Sequence, residues 1–583
     1  MKTSAHRLLS DGTAIWLIAA TLCGLVLRGA WLSQLAVEHY DEGVYASNLV
    51  FLEDEGDEFP GRALFAPPMM PLVIEWTTIV WRMFAATSPS WLPMLPGIVC
   101  GIALVPSAGW IARRWFGPAA GVAAAWLVAL SEYHAFYSRT ALTDAPLMLA
   151  WLWGVYWVSQ SLERYELRPA VIAGVVTAVA WWTKYSGWLP LAIAVSGGVA
   201  ATVMRPASER SWPKLLRTLA VMIGTAVILW LPVLWDCQSV GGYAAVAANH
   251  RGYVEPWSKW FASLVHQGQN IEWYVGAMTA LGFVSAGLSG IVAERPADQR
   301  ANDLAPSSPV RMPLVAILLA AALTIGLVSV VGVTLGLLLA GCLLAIAWGL
   351  GRWQRRELSS QEMIAACLLS AWFLGMLLAT PRYHAYPRLI MPLWLAGCLG
   401  TAWLIEQDAA SAWSAQVAMR LRVGVNRRGM AVVWGVFVVV VLFVSGTQAW
   451  EDRRTFSRAG DDIAAWLAAE HRAGSPPAVF VYGEPALFLS LRQRDVAAIL
   501  RGDLAFAEAP PPTTCYLVAG LFAERDTNFR EQWDQFGDRF DAVQTWPVQP
   551  SSLYLLDNIS PAELRQDSAD RTMSLTLYRL RSP

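Results

Sequence analysis

A helix of about 20 apolar residues crosses the hydrocarbon core of a bilayer, and this chain offers such runs from one end almost to the other. Candidate spans extend over Thr13 to Leu32, Leu92 to Ala112, Gly117 to Tyr137, Pro146 to Leu162, Ala170 to Thr183, Gly187 to Val203 and Thr218 to Trp235. They continue over Ile271 to Val292, Leu314 to Val331, Val333 to Trp348, Met363 to Ala379, Leu389 to Ile405 and Ala431 to Val444. The hydropathy pattern thus predicts about thirteen spans. Only 15% of the 583 residues are charged, where a soluble domain carries about 25%, so lipid is the main solvent. The fold class expected is a polytopic α-helical membrane protein.

Segment 67–86 begins with Pro67 and Pro68 and contains Glu75 and Arg82. It reads as an interfacial helix lying flat on the membrane within a first external loop, 33–91. With that helix flat, one set of alternate loops collects Arg113 and Arg114; Arg164 and Arg168; Arg205, Arg210, Lys214 and Arg217; Arg295, Arg300 and Arg311; Arg352, Arg355 and Arg356; Arg420, Arg422, Arg427 and Arg428. Lys2 and Arg7 fall on the same side. The first apolar run is long for a signal-peptide core and lacks a clear cleavage site, so it reads as a retained anchor. The charge bias sets the N-terminus in the cytoplasm and the C-terminus outside. The expected location is a bacterial inner (plasma) membrane, with the C-terminal part periplasmic.

After Val444 the chain turns polar. Short β-like runs at Val479 to Tyr482, Cys515 to Val518 and Leu575 to Tyr578 alternate with helix-like stretches. Residues 450–583 are read as an extracytoplasmic soluble α/β domain behind a transmembrane domain, 1–449. A net charge of −1 offers nucleic acid no global field. None of the seven cysteines forms a CxxC pair, so neither a zinc site nor a disulfide framework is indicated. No internal repeat is evident, which weighs against a transporter or flippase built on inverted halves.

Chemistry concentrates on the predicted outer face. His39-Tyr40-Asp41-Glu42-Gly43-Val44-Tyr45 follows the first span; carboxylates beside a membrane helix are costly to desolvate, and one held there can take a proton from a hydroxyl. Glu53, Asp54, Glu55, Asp57 and Glu58 read as a solvated acidic run. A second group is Ser138-Arg139-Thr140-Ala141-Leu142-Thr143-Asp144-Ala145-Pro146, where Thr143 or Asp144 has the alternative reading of a helix cap. Glu132 and His134 lie near the same face. Lys184, in Trp181-Trp182-Thr183-Lys184-Tyr185, either snorkels or faces a lipid phosphate. Pro381-Arg382-Tyr383-His384-Ala385-Tyr386-Pro387-Arg388 joins cations to aromatic rings, which suits a phosphate and a sugar or an interfacial belt. The loop 236–270 holds Asn249, His250, Arg251, Tyr253, Glu255, Trp257, Lys259 and His266 without an evident role for any of them.

This combination resembles the GT-C superfamily of membrane glycosyltransferases, in particular the protein O-mannosyltransferases and the aminoarabinose transferase that modifies lipid A. The match rests on Asp41, Glu42 and Tyr45 in the first external loop, on Pro67-Pro68, and on the segments SRTALTDAPL, WWTKYSGWLP and YPRLIMPL, over roughly the first four hundred residues. The resemblance implies inverting transfer of a sugar from a polyprenyl-phosphate donor to a hydroxyl acceptor on a lipid, protein or cell-wall glycan. Asp41 would be the general base, with Glu42 and Tyr45 shaping the site. Asp144 would orient the acceptor or share a divalent metal with Asp41. Lys184 and Arg388 would receive the departing phosphate, with Arg139, Tyr383 and His384 binding substrate. Two departures stand out: Val44 occupies the place of an arginine, and Phe65-Ala66 that of a Glu-Lys pair, in the aminoarabinose transferases. A lipid-linked sugar flippase and a noncatalytic membrane scaffold are the competing readings.

Overall fold

In lipid a helix is favoured because it satisfies every backbone hydrogen bond within itself, and helices make up most of the first four hundred residues. The computed structural model describes residues 13–47, 62–85, 87–274, 276–292, 314–409, 448–471, 477–506, 515–556 and 572–581. Among these, seven helices are long and apolar enough to cross a membrane, namely Thr13–Gln34, Leu92–Trp115, Tyr185–Met204, Trp212–Val240, Val333–Gln354, Ser360–Arg382 and Pro387–Gln407. Three shorter apolar helices, Pro118–Ala129, Leu167–Thr183 and Leu318–Val331, accompany them. The protein is a membrane protein of predominantly helical build. The expected span Ala431 to Val444 lies outside the described residues, as do Glu53 to Glu58 and the cationic groups of 295–311 and 420–428.

One expected span is broken. The run from Gly117 to Tyr137 divides into Pro118–Ala129 and Glu132–Ser138, with Ser131 capping the second helix through the His134 amide at 3.2 Å. The cause is a buried cation. Arg28, in the first helix, donates to the Val128 and Ala129 carbonyls at 2.8 and 3.0 Å and contacts the His134 Nδ1 at 2.7 Å. Carbonyls at a helix C-terminus have no partner inside the helix, and Arg28 supplies one. Arg139 does the converse, donating to the Arg28 carbonyl at 2.9 Å and to the Ala30 carbonyl at the end of the first helix. The two arginines thus lock two chain turns against each other.

The helix Met69–Arg82 has 14 residues, a length of roughly 21 Å, well short of the ~30 Å hydrocarbon core. Met70 and Ile74 are buried, while Val73, Trp76 and Val80 form an exposed apolar face. This is the pattern of a helix that rests on a membrane surface.

The C-terminal part forms a five-stranded sheet of order β2-β1-β3-β5-β4, from β1 (Ala478–Val481), β2 (Ala498–Ile499), β3 (Cys515–Ala519), β4 (Phe540–Val548) and β5 (Met573–Leu580). Strands β2, β1 and β3 run parallel, whereas β5 is antiparallel to both β3 and β4. Each residue of β3 is buried, as expected for a central strand covered on both faces.

The sheet unit is fastened to the exit of the first membrane helix. Arg453 pairs with Leu35 in an isolated parallel bridge, and its guanidinium donates to the Arg139 carbonyl. The helix Pro485–Arg492 lies on the short helix Tyr40–Ala46, so closely that a Cβ on Gly43 would stand 2.5 Å from the Ala486 nitrogen. Tyr40 stacks on Phe522 with ring centroids 5.1 Å apart.

Candidate active site

Two carboxylates approach one region from separate turns of the chain. The first is set by a reciprocal cap on Tyr40–Ala46. The His39 side chain accepts from the Asp41 amide at 3.0 Å, and the Glu42 carboxylate accepts from the Glu38 and His39 amides at 3.1 and 3.0 Å. The other Glu42 oxygen accepts from the Ala141 amide at 2.7 Å. Glu42, expected to shape the site beside Asp41, is thus engaged with the main chain on both oxygens. Its carboxylate is fully buried and binds three backbone N–H groups, so it staples the Asp41 turn to the Asp144 turn.

Asp41 meets Arg388 at 2.7 Å, with side chains 17% and 12% exposed. Asp144 accepts from Lys184 at 2.7 Å, and its second oxygen is buried with no hydrogen-bond partner among the described residues. Thr143, at the N-cap of the Asp144 helix, makes no side-chain capping bond. The Lys184 ammonium turns inward to Asp144 rather than snorkelling outward.

Tyr45 lies within electrostatic reach of Asp41, Arg388 and Asp144. Burial holds its phenol well above the usual range; Asp41 pushes it further up, Arg388 pulls it down, and Asp144 raises it again. Tyr383 borders the same region, its phenol pushed up to about 12 by burial, then by Tyr253, with Arg388 and Asp41 opposing each other.

The other expected residues are placed differently. Arg139 is fully buried, and its guanidinium donates to the main-chain carbonyls that end the first helix, which leaves it no face for a substrate. The His384 ring stands half-exposed, its Nδ1 3.8 Å from the Glu255 carboxylate, with Tyr386 against it. His134 stacks on Trp394 and belongs to the buried Arg28 network.

The loops that hold the cations are tied down from several sides. The Glu255 amide donates to the Arg382 carbonyl and the His384 amide to the Tyr253 carbonyl, each at 2.8 Å, so loop 236–270 and loop 380–388 share a short antiparallel bridge. Gln267 and Asn270 donate to the Thr380 and Ala385 carbonyls, and Tyr133 to the Pro387 carbonyl at 2.7 Å. Lys184 is fixed by its neighbour, since the Tyr185 hydroxyl donates to the Ala63 carbonyl. Arg62 grips Asp236 at 3.1 and 3.2 Å through both terminal nitrogens, a bidentate geometry that orients as well as binds.

Sequence reasoning gave no role to His250, which this packing brings to the site. Its ring meets Tyr185 edge-on at 5.5 Å, and its Nδ1 lies 2.9 Å from the Val246 carbonyl. Burial depresses its pKa; the Val246 hydrogen bond opposes this, Lys184 lowers the pKa further and Asp41 raises it. An Nδ1–H held by Val246 leaves Nε2 as the acceptor of the neutral ring. No local motif marks this position, because the loop is placed by distant partners such as Leu64, whose carbonyl accepts from Asn249 at 3.2 Å.

A divalent metal at Asp41 and Asp144 does not fit this arrangement. Each carboxylate already holds a basic side chain, which repels a dication, and no group of three or more His, Cys, Asp or Glu side chains gathers among the described residues. The arrangement instead brings two carboxylates, each paired with a cation, into electrostatic reach of one phenol.

Residues 66–230 match the family model described as dolichyl-phosphate-mannose-protein mannosyltransferase. That stretch contains Asp144 and Lys184 and leaves out Asp41 and Arg388. Comparison with curated proteins by sequence gives no match. Among solved structures, the apo oligosaccharyltransferase of Archaeoglobus fulgidus superposes with a TM-score of 0.50 at 13% identity, covering 89% of this chain and 71% of that one. ArnT from Cupriavidus metallidurans in the apo state gives 0.47 at 14% identity, covering 98% and 99%. Over residues 66–230 the chain is similar to that mannosyltransferase family, and its likeness to the archaeal enzyme is one of fold.

Proposed function

We propose that this relative of the mannosyltransferase family is an inverting glycosyltransferase, moving a sugar from a polyprenyl-phosphate donor to a hydroxyl acceptor at the periplasmic face of a bacterial inner membrane. The observation that carries the reading is the pair of ion pairs, Asp41 with Arg388 and Asp144 with Lys184, with Tyr45 in electrostatic reach of Asp41, Arg388 and Asp144. The family matched over 66–230 is described by a dolichyl-phosphate-mannose donor, which supports a lipid-phosphate leaving group. The outward placement rests on the cation bias of the alternate loops and on the flat helix Met69–Arg82.

In this mechanism the acceptor hydroxyl gives its proton to the Asp41 carboxylate as its oxygen attacks the anomeric carbon. The bond from that carbon to the phosphate oxygen breaks, and the phosphate leaves with the electron pair. Arg388 moves from Asp41 to the phosphate as the base takes the proton, and Lys184 adds a second positive charge. One displacement inverts the anomeric centre. Tyr45 shapes the site, and the neutral His250 Nε2 accepts from a sugar or acceptor hydroxyl.

The test is a glycan comparison by mass spectrometry across lipids, proteins and cell wall. Cells with the wild-type chain should contain a glycan that cells without it lack. Cells with equal amounts of membrane-inserted Asp41→Asn protein should lack it too. Normal levels of that glycan with Asp41→Asn would remove Asp41 from the chemistry.

A further inference from the structure

The surface of the sheet unit carries an open cavity of about 340 Å³ lined by Tyr482, Asp503, Asn528, Glu531, Gln532 and Gln535, of which Asn528, Glu531 and Gln535 are exposed. We infer that this cavity is a saccharide-binding subsite, which holds a neutral glycan portion of the acceptor beside the Asp41 turn. As an acceptor subsite it rests on the transferase reading; as a binding site it does not.

Its place in the fold is the first reason. In an open α/β sheet, ligands collect beyond the carboxyl ends of the parallel strands, where the loops diverge. Tyr482 directly follows β1, Asp503 follows β2, and Asn528 lies on the helix Thr527–Phe536, reached after β3. The three walls therefore come from the carboxyl ends of β1, β2 and β3. The volume also falls within the roughly 300–1,000 Å³ of small-molecule sites.

The lining chemistry is the second reason. Every lining side chain is polar, and three are carboxamides, which donate and accept as sugar hydroxyls do. The Gln532 Oε1 is buried with no hydrogen-bond partner among the described residues, so a donor from a ligand would satisfy it. The cavity lining has no Lys, Arg or His, which disfavours a phosphate. Asp503 is already paired with Arg501 at 2.9 and 2.8 Å, so the lining acids do not combine into a dication site. An uncharged polyol fits this set better than an anion, a cation or a lipid tail.

Continuity with the proposed reaction site is the third reason. The Tyr482 hydroxyl donates to Asp526 at 2.9 Å, and Asp526 caps the helix that bears Asn528, Glu531, Gln532 and Gln535. Asp526 also ends the short helix Leu521–Arg525, whose Phe522 stacks on Tyr40, the residue before Asp41. Tyr40 feels the charges of both Asp41 and Asp526. A glycan seated at Tyr482 thus begins one aromatic stack away from the proposed base.

The test uses the full chain in lipid nanodiscs free of sugar detergents, with saturation-transfer NMR of a panel of neutral di- to tetrasaccharides of glucose, mannose, galactose and N-acetylglucosamine. Wild-type protein should transfer saturation to at least one of them. Asn528→Ala combined with Gln532→Ala, on a helix where alanine is well tolerated, should lower that signal at least about fivefold, from two lost hydrogen bonds. Undecaprenyl phosphate binding should be unchanged in the double variant, and Asp41→Asn should keep the saccharide signal. No transfer to any member of the panel, or equal transfer in the double variant, would overturn the subsite. A calcium-dependent thermal shift without a saccharide signal would overturn it in favour of a cation site. Should Asp41→Asn leave the cellular glycan normal while the saccharide signal stands, the transferase reading fails and the binding site survives.

Discussion

Replacing Glu42 by glutamine separates positioning from chemistry at this site. The carboxylate takes three backbone N–H groups, two on one oxygen at 3.1 and 3.0 Å and one on the other at 2.7 Å, with no solvent exposure. A glutamine presents one oxygen and one NH2. The cheaper orientation keeps the oxygen on the Glu38 and His39 amides and turns the NH2 toward the Ala141 amide, donor against donor. A hydrogen bond to a charged group is worth about 1.5–3 kcal/mol, and a stranded buried donor costs about 1–3 kcal/mol, so the change should destabilise by roughly 3–6 kcal/mol before relaxation. Thermal unfolding of the purified protein, followed by intrinsic tryptophan fluorescence, should show a midpoint lowered by several degrees, with the glycan product lost in parallel. Asp41→Asn, which keeps an acceptor oxygen for Arg388 while leaving its charge unpaired, should lose the product with a smaller fall in midpoint than Glu42→Gln. A Glu42→Gln protein of wild-type thermal stability and no product would refute the assignment of Glu42 as a staple and return it to the chemistry.

Three further outcomes follow from the same geometry. Lys184→Met strands the buried Asp144 carboxylate, and the uncompensated charge should cost about 3–5 kcal/mol; thermal unfolding should show it, and undecaprenyl phosphate binding should weaken with it, while Lys184→Arg recovers part of both. Gly43→Val would drive a side chain into the Pro485–Ala486 backbone at a cost of about 1–3 kcal/mol, read as faster limited proteolysis of the sheet unit. Burial raises Glu38 and Glu484 from 4.5 to about 7. The folded chain then keeps protons that the unfolded chain has released, so stability should fall as pH rises from about 4.5 to about 7 and level off above that. Unfolding midpoints across that window should show this slope in the wild type, and Glu38→Gln with Glu484→Gln should flatten it.

The sequence was explicit wherever a residue's task depends on its solvent. Apolar runs of sufficient length had to be helices, because lipid offers the backbone no other partner. The prolines and charges of 67–86 argued for a helix that does not cross, and its 14-residue helix is too short to do so. Loss of apolar character after Val444 marked the region where a sheet forms. Where a task depends on partners far along the chain, the sequence was silent. Glu42 and Arg139 stand inside the motifs that resemble a catalytic site, and nothing in those motifs shows that the Ala141 amide and the Arg28 carbonyl are their partners. The break at Leu130 could not be read from an apolar run, because its cause, Arg28, lies about a hundred residues away.

The amino-acid order by itself therefore determined the solvent and the helical class, since these follow from hydration and charge summed over short windows. Only the tertiary structure decided which acid meets which base. Asp41 finds Arg388, Asp144 finds Lys184, and His250 arrives on a loop anchored elsewhere, because an ion pair forms between side chains that packing brings within about 3 Å and the sequence holds no record of that distance.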